Sequence, residues 1–290
     1  MENQFPTLLA CMAAGLVGDG SECYGFDDEI SRDHDWGPGF QIWLDDEDFE
    51  AWGPRLSAWY SGLPRVFASF GPRRRSSWGD NRVGVFSVSG FYRGFIGLGR
   101  APESPDEWLA IPENALAAAT NGRVFLDRGG RFSTVREMLA GFYPEDVRKK
   151  KIASRLMTAG QSGQYNFSRC VRRRDDVSAA YARTKFFADA FSLVFLLKKR
   201  YAPFYKWMVR AAMTIPEPGP EMARLARLLC RSPDYSEQEL LIETMSALAV
   251  NELRSQGLTG SSSSFLCDHG PEVQQTIADP VLRERNVWVG

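Results

Sequence analysis

Gly18-Asp19-Gly20-Ser21, then Asp33-His34-Asp35-Trp36 and the apolar run Phe40 to Leu44, is the stretch on which the reading of this chain turns. Small residues at Gly18, Gly20 and Ser21 let backbone N–H groups come close to an anion, and a helix starting there would add its positive end. On an extended chain alternate side chains leave from one face, so Asp33 and Asp35 would converge on one spot while His34 packed away on the other side. Two crowded carboxylates repel unless they share a proton or a cation. Magnesium is the natural guest, since it takes one or two carboxylates together with phosphate oxygens. The spacing thus predicts one or two magnesium ions on Asp33 and Asp35, with a phosphate-bearing ligand against Gly18, Gly20 and Ser21.

Working outward, residues 4–17 carry Phe5, Leu8, Leu9, Met12, Ala13 and Leu16 near the helical period and predict a helix. Residues 22–29 read as a short helix or loop, and 33–44 as the first long strand, bent at Gly37-Pro38-Gly39. Asp45-Asp46-Glu47-Asp48 reads as the acidic first turn of a helix carrying Phe49, Trp52, Leu56 and Tyr60, in preference to a second metal cluster. Arg73 to Asp80 is a basic loop, the sort of arginine run that normally lies in solvent. Residues 82–88 alternate as a core strand should. Ser104 and Pro105 open a helix, a second runs from Pro112 to Thr120 and stops at Asn121-Gly122, and Arg123 to Asp127 is a short strand.

After Pro144 the pattern is helical with no convincing strand. The segments expected are about 145–160, 163–175 into 177–200, 203–214, 219–230 and 236–256, with leucine and phenylalanine stripes forming a bundle core. Lys198 to Trp207 puts cations and phenols at a helix junction broken by Pro203, where Tyr205 and Lys206 are candidates to line a nucleotide pocket and neutralise a triphosphate. Arg169 is a further candidate contact, beside a solvated Arg172-Arg173-Arg174 run. Gly257 to Ser264 reads as a flexible linker, and His269 in the tail that follows as a structural hydrogen-bonding group.

The 290 residues carry a formal net charge of −1, which argues against general nucleic-acid binding or a membrane-surface role. Five cysteines without C-x-x-C spacing suggest neither zinc nor a disulfide framework, and fit a reducing cytoplasm. No apolar run is long enough to span a bilayer, and no basic leader precedes Leu8 to Val17.

The segment Gly18 to Gly37 resembles the nucleotidyltransferase superfamily (DNA polymerase beta-like, kanamycin nucleotidyltransferase-like), whose pattern is Gly-Ser, a spacer, then Asp-x-Asp on the next strand. More narrowly, Gly25-Phe26-Asp27-Asp28-Glu29, Ser31 to Pro38, Pro144-Glu145-Asp146-Val147, Arg200 to Trp207 and Asn286 to Gly290 look like the bacterial DUF4037 family. The resemblance implies an α+β chain: a nucleotidyltransferase-fold domain over 1–143, a mixed sheet flanked by helices, followed by an all-α domain over 144–256 and a linker and tail over 257–290 that packs back on the protein. It implies magnesium-dependent transfer of a nucleoside monophosphate from a nucleoside triphosphate to an acceptor hydroxyl or amine on a small molecule, a tRNA end or a protein. A homodimer is compatible with it. The chain departs from the superfamily where a third carboxylate is sought, having Gly84 and Ser87 there. That departure keeps open a catalytically silent nucleotide-binding or regulatory protein, and a toxin–antitoxin-type interaction module.

Overall fold

Residues 4–17 do not form the expected helix. A 3-10 turn, Leu8–Ala10, gives way to β1, Ala13–Leu16. Phe5, Leu8 and Met12 do bury together, yet from Ala13 the chain extends, because strands on both sides offer it hydrogen bonds; pairing overrides the local pattern. The computed structural model describes residues 4–73 and 82–290.

Two units make up the chain, Met1–Glu103 with Ile111–Gly141, and Ser104–Ala110 with Phe142–Gly290. The first holds β1, α1 (Ser21–Tyr24), β2 (Gln41–Leu44), α2 (Asp46–Ser61), β3 (Gly84–Ser87) and α3 (Val88–Ile96). Its sheet has the order β3-β2-β1-β4, where β4 is Arg123–Asp127. β1 runs antiparallel to β2 and β4, and β2 runs parallel to β3, so the sheet is mixed. Alternation along β2 sends Ile42 and Leu44 toward Leu56 of α2, and Trp43 toward the other layer, where it stacks on Phe132 at 3.8 Å. Phe132 belongs to α6 (Arg131–Ala140), and Phe91 of α3 closes on the same tryptophan edge-on at 5.4 Å. Helices thus cover both faces, with α5 (Glu113–Thr120) packed on α3.

The end of β1 is held by side chains instead of a strand. Gln41, fully buried, accepts from the Val17 N–H at 2.8 Å and donates to the Val17 carbonyl at 2.8 Å and the Arg82 carbonyl at 2.9 Å. Asn121 does the same one residue on, accepting from the Gly18 N–H at 2.9 Å and donating to its carbonyl at 2.7 Å.

The second unit is helical: α4 (Pro105–Ala110), α7 (Glu145–Ala159), a π-helical turn Gly160–Phe167, α8 (Ser168–Arg172), α9 (Asp176–Leu197), α10 (Tyr205–Ala212), α11 (Gly219–Arg231), α12 (Tyr235–Ser255), α13 (Leu266–Gln275) and α14 (Pro280–Glu284). The sequence reading grouped 104–110 with the first domain; α4 packs in the helical unit instead, with Trp108 edge-on to Tyr143 at 5.6 Å and Asp106 ion-paired to Arg285. At the centre lies α7, whose basic run is buried. Arg148 makes two bonds to Glu145, at 3.0 and 2.7 Å, while the Lys150 ammonium donates to Gln274 Oε1 at 2.8 Å and to the Asn286 carbonyl at 2.7 Å. Ser154 adds a bond to the Trp288 carbonyl, so the tail lies along α7.

The flexible-linker expectation for Gly257 to Ser264 is overturned. Glu272 accepts from the Gly260 and Ser261 N–H groups, Arg254 donates to the Ser261 and Ser263 carbonyls, and buried His269 sits between Thr259 and the Ser263 carbonyl. Composition predicted freedom because the partners lie in other segments.

Two outcomes follow from these contacts. Gln41→Leu keeps the volume but strands buried backbone groups of Val17 and Arg82, and should destabilise the sheet unit by about 3 kcal/mol in urea unfolding. Burial, helped by Arg285, lowers the Lys150 ammonium from 10.5 to about 8. Since the unfolded chain binds the proton more tightly, stability should rise between pH 8 and 10.5, and Lys150→Met should flatten that rise in a pH series of melting curves.

Candidate functional site

A cavity of about 540 Å³ opens in the first unit where β1 runs out into Gly18-Asp19-Gly20. One side is polar: the glycine turn, Asp19, Glu22 and Arg82. The other is aromatic, with Phe49, Phe86, Phe91 and Phe95. Gly90 and Gly94, one turn apart on α3, leave that helix backbone bare along the cavity wall.

The turn is shaped for close approach. Gly18 has φ +137, a conformation that side chains rarely adopt, and its amide pair is pinned by Asn121. Among the described residues the N–H group of Asp19 has no partner, whereas the Gly20 N–H points at the Cys23 thiol. α1 is only four residues long, so its dipole adds little. Glu22 is neutralised by Arg73, Nη2 to Oε1 at 2.8 Å, and Arg73 Nη1 also donates to the Gly37 carbonyl at 3.0 Å. Arg73 is thus a structural clamp; residues 74–80 of the expected basic loop lie outside the described residues.

Asp19 reaches solvent at the surface, yet the protein around it pushes its carboxyl above the usual range, burial outweighing the opposing pull of Arg82. Cys23, also on the wall, is pushed up to about 12 by burial first and by Glu22 next, so it stays a thiol and is no nucleophile.

The predicted acids are not arranged as a pair. Asp33 ends a 3-10 turn, Ile30–Arg32, with helical dihedrals, and Asp35 is left-handed at φ 51; the strand begins only at Gln41. Without an extended chain the shared-face geometry is lost. The Asp33 side chain is 62% exposed and is bonded by the His34 backbone N–H and ring, whereas the Asp35 side chain is 2% exposed, 4.0 Å from Arg82. His34 accordingly lies in solvent beside Asp33, not packed on a strand face. The Ser21 hydroxyl is turned away to Asp27 at 2.5 Å, whose other oxygen accepts from the Trp36 indole. Gly18 and Gly20 do line the cavity.

Tyr205, Lys206 and Arg169 belong to the helical unit. Tyr205 is exposed, Lys206 rests over the Trp207 ring at 4.9 Å, and Arg169 donates to the Tyr165 hydroxyl at 2.8 Å while stacking on its ring. Of the two positions searched for a third acid, Gly84 has φ +136, where any side chain is strained, and Ser87 caps α3 by accepting from the Gly90 N–H. Sequence reasoning missed Asp19, though it stands inside the quoted turn. It also passed over Gln41 within an apolar run, took Asn121 only as a helix stop, and gave no role to Arg82 at the head of β3.

Fold and site define an α+β protein with a glycine-rich, half-aromatic cavity in a mixed-sheet unit and an all-helical second unit. Residues 108–208 match the family described as Domain of unknown function (DUF4037), so the resemblance holds over that segment. A solved nucleotidyltransferase-like protein from Exiguobacterium sibiricum 255-15 is similar at 12% identity and a TM-score of 0.39, covering 88% of this chain and 75% of that one. No curated protein matches the sequence. Among the described residues no helix is long and apolar enough to cross a membrane.

Arg82→Gln should raise the Asp19 carboxyl further, since it removes the one charge that favours the anion. A carboxyl-detected NMR titration reads this directly; an Asp19 that titrates normally in both proteins would mean that burial does not govern it.

Proposed function

We propose that this protein is a nucleotidyltransferase whose nucleoside triphosphate occupies the cavity at the end of β1. The observation that carries this reading is one cavity lined both by polar groups, the unpartnered Asp19 amide and Arg82 among them, and by four phenylalanines, which matches a ligand with a charged phosphate chain and a flat base. The Asp19 amide and the Arg82 guanidinium would receive phosphate oxygens. Phenylalanine rings would take the base, and the bare stretch of α3 at Gly90 and Gly94 would let the sugar lie flat.

Among the described residues no three acidic, histidine or cysteine side chains converge on one point, and Asp33 and Asp35 as placed do not form a metal pair. Asp19 does fit: its carboxylate faces the cavity, is disfavoured as an anion by burial, and has no ion pair among the described residues. One such carboxylate is enough for magnesium when phosphate oxygens and water complete the shell. Bound there, the ion would supply charge neutralisation for the departing pyrophosphate. The chain's own contribution is to hold the phosphates at the turn and exclude water on the aromatic side, while an acceptor hydroxyl or amine attacks the α-phosphorus and pyrophosphate leaves with the bridging oxygen.

The non-extended chain through Asp33 and Asp35 and the backbone strain that any side chain would meet at Gly84 favour one alternative, a protein that binds nucleotide without transferring it.

Calorimetry with ATP, CTP, GTP and UTP, with and without magnesium, tests binding; labelled nucleotide with cell extract tests transfer. Arg82→Ala should weaken binding about tenfold. Asp19→Asn should bind nucleotide but lose magnesium dependence and turnover. Tight binding with no labelled product leaves the silent reading, and no binding of any nucleotide removes both.

A further inference from the structure

Beside the glycine-lined cavity lies a larger one, of about 870 Å³, in the same unit. Its lining is largely apolar: Pro38, Phe40, Leu63, Phe67, Val83 and Phe125 among others. Its rim keeps large apolar side chains in water, Phe67 at 71% and Phe125 at 63% exposed, with Val66 next to them also exposed. Such a concentration is costly to leave bare and marks surface meant to be covered.

The polar groups within reach are already committed. The Tyr60 hydroxyl accepts from the Phe40 N–H at 3.2 Å and donates to its carbonyl at 2.7 Å. Ser61 donates to the Ser57 carbonyl, and Arg73 is held by Glu22 and Gly37. Arg65 differs: it lines the cavity, is exposed, and has no ion pair or hydrogen bond among the described residues. A largely apolar interior that asks for no hydrogen bond, with one uncommitted cation among the described lining residues, has a definite complement.

We propose that this second cavity binds a small molecule with a flat apolar body and one anionic end, the body between Phe67 and Val83 and the anion at Arg65. Arg73 is the partition, since it lines this cavity while its guanidinium holds Glu22 of the other. The site stands whether or not the neighbouring cavity takes a nucleotide.

The full chain is titrated by calorimetry with biphenyl-4-carboxylate and, separately, with biphenyl-4-methanol. One carboxylate per chain is expected to bind, about fivefold more tightly than the alcohol. Arg65→Gln, an exposed change that does not threaten folding, should bring the carboxylate down to the level of the alcohol. Leu63→Trp, which fills the space, should abolish both while circular dichroism stays native, and nucleotide binding should be unchanged in both variants. Failure of the carboxylate to bind at millimolar concentration, or equal binding by wild type and both variants, would overturn the proposal.

Discussion

Two side-chain amides stand where a strand should be. Pairing of β1 ends at Gly15 against β2 and at Leu16 against β4, and the polar backbone of Val17 and Gly18 would be left without partners in a buried place. Gln41 and Asn121 each turn one donor and one acceptor to that backbone, the same pair that a peptide unit presents, and close that gap. Because Gln41 also holds the Arg82 carbonyl, one amide fixes both the approach to the turn and the arginine that line the cavity. The site geometry therefore depends on a side chain that touches no ligand.

Charge is handled in different ways in the two units. Around the cavity, cations and carboxylates are paired, Arg73 with Glu22 and Arg82 near Asp35, and burial raises the Asp19 carboxyl against the pull of Arg82. A carboxyl so placed gains most from an added cation, which gives the cavity its chemical direction. In the helical unit the charges of α7 are sunk into the core, where Lys150 binds carbonyl oxygens of Gln274 and Asn286. Burying an ammonium is unfavourable, and the hydrogen bonds offset part of that cost while fixing where the tail must lie.

Local sequence made much of the architecture legible. Ser104 and Pro105 start α4, the acids from Asp45 to Asp48 open α2, Asn121-Gly122 ends α5, and the stripes after Pro144 build a helical unit. Each of these signals acts within a turn or two of its own residue. The glycine turn was legible for the same reason, since backbone conformation at Gly18 is a property of that residue.

What the sequence determined by itself, then, is the set of local elements, the α+β division and the presence of a glycine turn after β1. Tertiary structure decided the rest: that Ala13 to Leu16 extend between two strands instead of coiling, that Asp33 and Asp35 part company before the strand begins, that the serine-rich stretch after Gly257 is tied down by Glu272 and Arg254, and that Asp19 faces the cavity. In each case the deciding partner lies in another segment, and spacing along a chain carries no information about which distant group will satisfy a hydrogen bond or desolvate a charge.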